Sequence, residues 1–179
     1  MLKLPRLIGI TGKAGAGKDT IGYHLRRNYQ YMPVGFADPI RHGIAAMLDI
    51  DPMHFAHPYK EQVLPEIGKS PRQLMQTLGT EWGRQLVHPD LWLIVARNAI
   101  NSHWAVSKNV VITDVRFENE AALIRSLGGA IWHIQRDSAG TAHQHVSESG
   151  VAFEPGVDKL VDNNGSFDDL FEQIDGAFA

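Results

Sequence analysis

The sequence has no cysteine among its 179 residues. That removes disulfides, zinc–thiolate sites and cysteine nucleophiles at once, and it is compatible with a reducing compartment. Long apolar runs are missing as well. The longest near the start is Leu7–Ile10, far short of the roughly 18 apolar residues that a membrane-spanning helix needs. The opening Met1-Leu2-Lys3-Leu4-Pro5-Arg6 has neither the apolar stretch nor the small-residue cleavage site of a secretory signal, so a cytoplasmic protein is expected. Positive charge is not in excess. Lys and Arg number 17 against 20 Asp and Glu, a formal net charge of −3, which argues against a protein that coats nucleic acid by charge alone. Internal repeats and low-complexity tracts are absent too. What remains is ordinary soluble composition, 44% hydrophobic and 21% charged, with enough apolar material for one core and a length that suits a single domain over residues 1–179.

The pattern along the chain alternates strands with helices. Leu7–Thr11 reads as a short buried strand, followed by the glycine-rich Gly12–Gly17 and a helix from Lys18 to about Asn28 that carries Ile21 and Leu25. A second strand is expected at Met32–Phe36, stopped by Asp38-Pro39, with Asp38 as N-cap of a helix bearing Ile40, Ile44 and Met47. Residues 51–68 show weak periodicity and read as a loop with one short helix. Ser70-Pro71 opens a helix expected to run to about Leu86. At 100° per residue, Leu74, Met75, Leu78 and Trp82 share its apolar face, and Arg72, Gln76, Gly79, Thr80 and Gly83 form a polar stripe. Two glycines in that stripe imply either a break near Gly79 or a surface that something approaches closely. A helix from Asp90 to about Ile100, an apolar strand Asn109–Asp114, a helix Glu118–Leu127, a strand Ala130–Ile134 and a polar excursion 136–155 follow. Lys159–Val161 reads as a last strand, and Ser166 caps a terminal helix. Near-continuous apolar strands alternating with helices predict a three-layer α/β fold with a mainly parallel sheet.

Gly12-Lys13-Ala14-Gly15-Ala16-Gly17-Lys18 matches G-x-x-x-x-G-K between an expected strand and an expected helix, the context that a phosphate-binding loop requires. Its backbone N–H groups, the positive helix end and the Lys18 ammonium would together cradle a polyphosphate. A chance glycine-rich turn is the bland reading. Asp19 stands where a Ser or Thr usually offers a hydroxyl to Mg²⁺, with Thr20 next. An anion there either helps hold the metal through water, leaving Thr20 to phosphate, or merely favours the helix end. Asp114, at the end of its strand, fits the second carboxylate of such a site, orienting Mg²⁺ or a nucleophile, or else caps the next helix. Arg116, two residues on, could project from the same ligand-binding edge. His143 and His145 can chelate a metal, but a solvated loop is favoured in so polar a segment.

Gly17-Lys18-Asp19-Thr20, the stretches Phe36–Arg41, Arg72–Thr80 and Asp114–Glu120, and the late Asp162-Asn163-Asn164-Gly165-Ser166 resemble, in order, blocks of the phage-type deoxynucleoside monophosphate kinases. The resemblance implies an adenylate-kinase-like P-loop NTPase fold with a lid segment at about 136–155 and an acceptor-nucleotide region at about 37–100. It implies ATP-dependent phosphorylation of a deoxynucleoside 5′-monophosphate to the diphosphate, with ATP and Mg²⁺ as cofactors, a homodimer, and location in the host cytoplasm for a phage-encoded chain. Carried over by position, Gly15, Ala16, Gly17, Lys18, Asp19 and Thr20 hold ATP, with Asp19 and Asp114 toward the metal. Lys13 reaches between donor and acceptor phosphates. Arg72 meets the acceptor phosphate, Gln76, Gly79 and Thr80 the base or sugar, and Trp92 stacks on the base. Asp38, Arg41, Asp114, Arg116 and Glu120 complete the acceptor pocket, and Arg136 is a lid arginine that acts with Lys18, Lys13 and Arg116 in transfer. The chain departs from the family in its shorter 51–69 segment and in Ala14, where some relatives carry a basic residue. A kinase of another phosphorylated metabolite and a non-catalytic ATP-binding module are the competing functions.

Overall fold

The computed structural model describes residues 5–56, 58–139 and 150–178, and these divide into two compact units, residues 1–34 with 98–179, and residues 35–97. His143 and His145, and with them residues 140–149 of the expected lid segment, lie outside the described residues. Among the described residues no helix is long and apolar enough to cross a membrane.

The first unit is built on a five-stranded parallel sheet of order β2-β3-β1-β4-β5. The strands are β1 (Leu7–Thr11), β2 (Met32–Pro33), β3 (Val110–Ile112), β4 (Ala130–Gln135) and β5 (Lys159–Asp162). Central β1 and β3 are buried at every residue, as strands covered on both faces must be. The second strand is shorter than the expected Met32–Phe36. Val34 still donates to Val111 O at 3.0 Å, but the Gly35 N–H turns to the Asp38 carboxylate at 2.7 Å and leaves the ladder. Helix α1 (Lys18–Tyr29) is joined to β1 by residues 12–17. Ile21 and Leu25 of α1 pack with Ile8, Ile10, Val111, Trp132 and Val161 of the sheet and with Leu170 and Ile174 of α6 (Phe167–Asp175).

Two polar clusters fasten this unit. His24 of α1 is buried, stacks on Phe171 with ring centroids 4.2 Å apart, and shares a 2.7 Å hydrogen bond with Asp175. On the other side, α5 (Glu118–Ser126) presents Arg125 to Asp158, whose side chain is fully buried. Asp158 accepts from Arg125 at 2.5 and 3.2 Å and from the Glu154 and Ile131 N–H groups at 2.9 and 3.2 Å, and it bonds the His133 ring at 3.1 Å. Burial by itself would raise the Asp158 pKa. The Arg125 guanidinium and the other donors overcome it and bring the carboxyl down to about 2.

The second unit holds α2 (Asp38–Leu48), two 3₁₀ turns at Pro52–Phe55 and Tyr59–Glu61, and α3 (Pro71–Gln76), which passes into a π-helix at Thr77–Val87. The first residues of α4 (Leu91–Ala105) also belong to it. Its core is Ile40, Ile44, Ala45, Phe55 and Trp92, with Leu74, Met75 and Leu78 against it. Ser70 does cap α3, in a reciprocal pair with Gln73: Gln73 N–H donates to Ser70 Oγ at 3.3 Å and Ser70 N–H to Gln73 Oε1 at 2.9 Å. The single α-helix expected to Leu86 is corrected. From Thr77 the hydrogen bonds reach five residues back, as His88 N–H to Gly83 O at 2.9 Å shows. The angular register shifts, and Trp82 becomes exposed rather than joining the apolar face.

Candidate functional site

Parallel strands bring all their C-terminal ends to one edge of a sheet, where ligands bind in open α/β folds. At that edge of the first unit lie the loop after β1, Asp114 and Arg116 after β3, Arg136 after β4, and Asn163 and Asn164 after β5. The β1–β3 ladder continues as Val115 N–H to Ile10 O at 3.3 Å, which sets Asp114 beside the start of the loop.

Gly12–Gly17 turns through left-handed backbone at Gly12, Gly15 and Gly17, with φ of 150°, 78° and 102°. A side chain at Gly12 would also strike the Ile134 carbonyl of β4, so the loop sits flush on the sheet edge only with glycine there. Gly15 is exposed, with open space where a Cβ would stand. Lys18 opens α1 and its Nζ donates to the Gly12 and Lys13 carbonyls at 2.6 and 2.9 Å. The ammonium therefore folds back over the loop, next to helix N–H groups that have no intrahelical acceptor. Lys13 and Asp19 are exposed, and Thr20 is partly buried in the same first turn. Arg116 and Arg136 are exposed at the edge.

Glu120 is placed otherwise than expected. It is 2% exposed, and its Oε2 accepts from the Arg116 and Phe117 N–H groups at 2.8 and 3.1 Å. The carboxylate builds the turn that presents Arg116.

In the second unit, Arg72 Nε donates to Glu61 Oε1 at 2.6 Å, a partner the sequence did not point to because it lies in a stretch without periodicity. Asp38 is the first helical residue of α2, not its N-cap, which is Ala37. The Asp38 carboxylate accepts from Gly35 N–H and pairs with Arg41 at 3.1 Å. Gln76 and Thr80 are partly buried. Gly79 and Trp92 are corrected together. Trp92 is 7% exposed, its ring lies where a Cβ on Gly83 would go, and its Nε1–H donates to Gly79 O at 2.7 Å. Gly79 in turn faces Ile40. The close approach that the glycines signalled is made by core side chains, and the indole packs in that core.

Among the described residues no cluster of three or more His, Asp or Glu could hold a metal ion. Asp19 and Asp114 remain as hard oxygen donors near the loop, which fits Mg²⁺ in its usual manner, held by one or two carboxylates together with substrate phosphates.

A family model described as deoxynucleotide monophosphate kinase matches residues 59–174. A deoxynucleoside-5′-monophosphate kinase of Escherichia phage T5 is 37% identical over 113 residues, 57% of this chain and 43% of the phage protein. The match therefore takes in less than half of that relative. A protein of Acanthamoeba polyphaga mimivirus is 27% identical over 181 residues, covering 94% of this chain and 93% of its own. The crystal structure of TT1252 from Thermus thermophilus has a TM-score of 0.53 at 18% identity, covering 98% of this chain and 97% of its own, a likeness of fold.

Proposed function

The chain belongs to the deoxynucleotide monophosphate kinase family, whose model spans well over half of it, and from that premise we propose that it transfers the γ-phosphate of ATP to a deoxynucleoside 5′-monophosphate. The observation that carries the reading is the glycine loop between β1 and α1 with the Lys18 ammonium bonded to its Gly12 and Lys13 carbonyls. Loop amides and Lys18 hold the donor phosphates, and Lys13 stands on the exposed side for the phosphate being transferred. Asp19 and Asp114 would hold Mg²⁺, which would supply charge neutralisation to the donor phosphates. Residues 37–100 supply the acceptor contacts, with Arg72, oriented by Glu61, on the acceptor phosphate and Gln76 and Thr80 on the nucleoside. Asp38 and Arg41 complete that side, and Arg136, just after the end of β4, meets the phosphate being transferred.

The chemistry needs no covalent intermediate. An oxygen of the acceptor phosphate attacks the γ-phosphorus, a new P–O bond forms, and the bond to the β–γ bridging oxygen breaks to release ADP. A phosphate monoester with its second pKa near 6 is already a dianion at neutral pH, so no general base is required. The barrier is repulsion between two anions, and Lys18, Lys13, Arg116 and Arg136 lower it by alignment and countercharge. ADP release measured with ATP, Mg²⁺ and each common deoxy- and ribonucleoside monophosphate tests the reading. Stimulation by at least one deoxynucleoside monophosphate is expected. Release indifferent to every nucleotide points to another phosphorylated acceptor and overturns it.

A further inference from the structure

The turn after β5 touches the phosphate loop from behind. Asn163 continues the β4–β5 ladder with its N–H on Gln135 O at 2.8 Å. The residue is 6% exposed, and its Nδ2 donates to the carbonyl of Ala16 at 2.7 Å across 147 residues of sequence. The same amide group occupies the space that a Cβ on Gly17 would need. Asn163 thus contacts two successive loop residues. Asn164 adds a bond from Asp137 N–H to its Oδ1 at 2.8 Å, one residue beyond Arg136. The turn is itself braced by α6, where Gln173 Nε2 donates to Asp162 O at 2.9 Å and Gln173 Oε1 accepts from Asp162 N–H at 3.2 Å.

The Ala16 C=O and the Gly17 N–H belong to one trans peptide plane and point in opposite directions. Holding the carbonyl on buried Asn163 therefore aims the Gly17 N–H away from the core. Glycine offers little resistance to a peptide flip, so the loop's sequence alone does not settle that orientation. We propose that Asn163 is a positioning residue for the phosphate loop: its amide clamps the Ala16–Gly17 peptide in the orientation that binds the ATP phosphates, and the 162–164 turn sets Arg136 and the loop from one rigid element. The inference rests on the phosphate-loop reading above. Without the clamp, the competent loop is a fraction of the population, and the apparent Kd for ATP rises by the inverse of that fraction. Loss of a buried hydrogen bond of this kind corresponds to roughly tenfold or more.

The test uses Asn163→Leu, which keeps the branched outline and loses the donor, with Asn163→Ala beside it and Lys18→Ala as control. Each full-length variant is measured for ATP·Mg²⁺ Kd by calorimetry, for KM of ATP and of the best deoxynucleoside monophosphate, and for Tm. The expected result is a Kd and KM for ATP raised roughly tenfold, KM for the acceptor within about twofold of wild type, and a folded protein. A lowered Tm and kcat with ATP affinity intact shows a merely structural role and overturns the proposal. Unchanged ATP binding in Lys18→Ala defeats the phosphate-loop reading itself; weakened binding there with unchanged binding in Asn163→Leu defeats only this inference. Should neither Asn163 variant fold, the side-chain amide resonances of Asn163 in the wild-type protein carry the test: they shift on ATP addition, and resonances unmoved at saturation overturn the clamp.

Discussion

Lys18 places an ammonium at the point where α1 begins, and the Gly12 and Lys13 carbonyls at 2.6 and 2.9 Å hold it over the glycine loop. Lys18→Ala should lower kcat by at least about a hundredfold, since an electrostatic contact to developing charge is lost while no core packing is disturbed. Circular dichroism should show the fold intact, and turnover like wild type would refute the assignment. Asp158 makes a prediction of another kind. Its folded pKa of about 2 lies below the ordinary 3.8, so its stabilisation is complete above about pH 4 and disappears as pH falls through 2. A shift of this size corresponds to about 2 kcal/mol. Urea unfolding at a series of pH values should show Asp158→Asn less stable at pH 7 and less steeply weakened between pH 4 and 2. Equal slopes for both proteins would contradict it. Glu120 marks the limit of reading single residues. An acid in the first turn of a helix looks the same in sequence whether it faces a ligand or folds back on two backbone N–H groups, and only its 2% exposure separates them.

At the scale of elements, α3 and the π-helix account for most of what the periodicity misplaced. Helical-wheel reasoning presumes 100° per residue, and it holds to Gln76, where Leu74 and Met75 do pack on the core. Beyond Thr77 the wider winding changes which residues share a face, so Trp82 emerges and Gly79 and Gly83 turn inward. Nothing in the local pattern announces the change, because the partners that reward it, Ile40 and Trp92, come from α2 and α4. Gly83→Ala places a methyl within 2.6–2.8 Å of the Trp92 ring. Overpacking of that kind costs about 1–3 kcal/mol, more than the propensity of roughly 1 kcal/mol that alanine gains over glycine in a helix. A lowered urea midpoint together with altered tryptophan emission is expected, and a raised midpoint would show the ring free to move. The strands, the loop and the caps at Ser70 and Ser166 were legible because each depends on neighbours in sequence.

For the whole molecule, ligand binding and stability are linked. ATP at about a hundred times its Kd should stabilise the native state by roughly 2.7 kcal/mol, and for a chain of this length that raises Tm by roughly 5–10 °C. The rise should vanish in Lys18→Ala; a wild-type Tm indifferent to ATP·Mg²⁺ would speak against nucleotide binding. The sequence by itself determined the α/β class, the phosphate loop with its lysine, and the order of strands and helices along the chain. These follow from short-range geometry: apolar runs, glycine where the backbone must reverse its handedness, and caps within one turn. Only the tertiary structure decided the strand order, the burial of Trp92 and Glu120, the pairing of Arg72 with Glu61 and of Arg125 with Asp158, and the seat of Asn163 behind Ala16. Each of these depends on which distant groups the fold carries into contact, and the energy of such a contact resides in neither residue until its partner is in place.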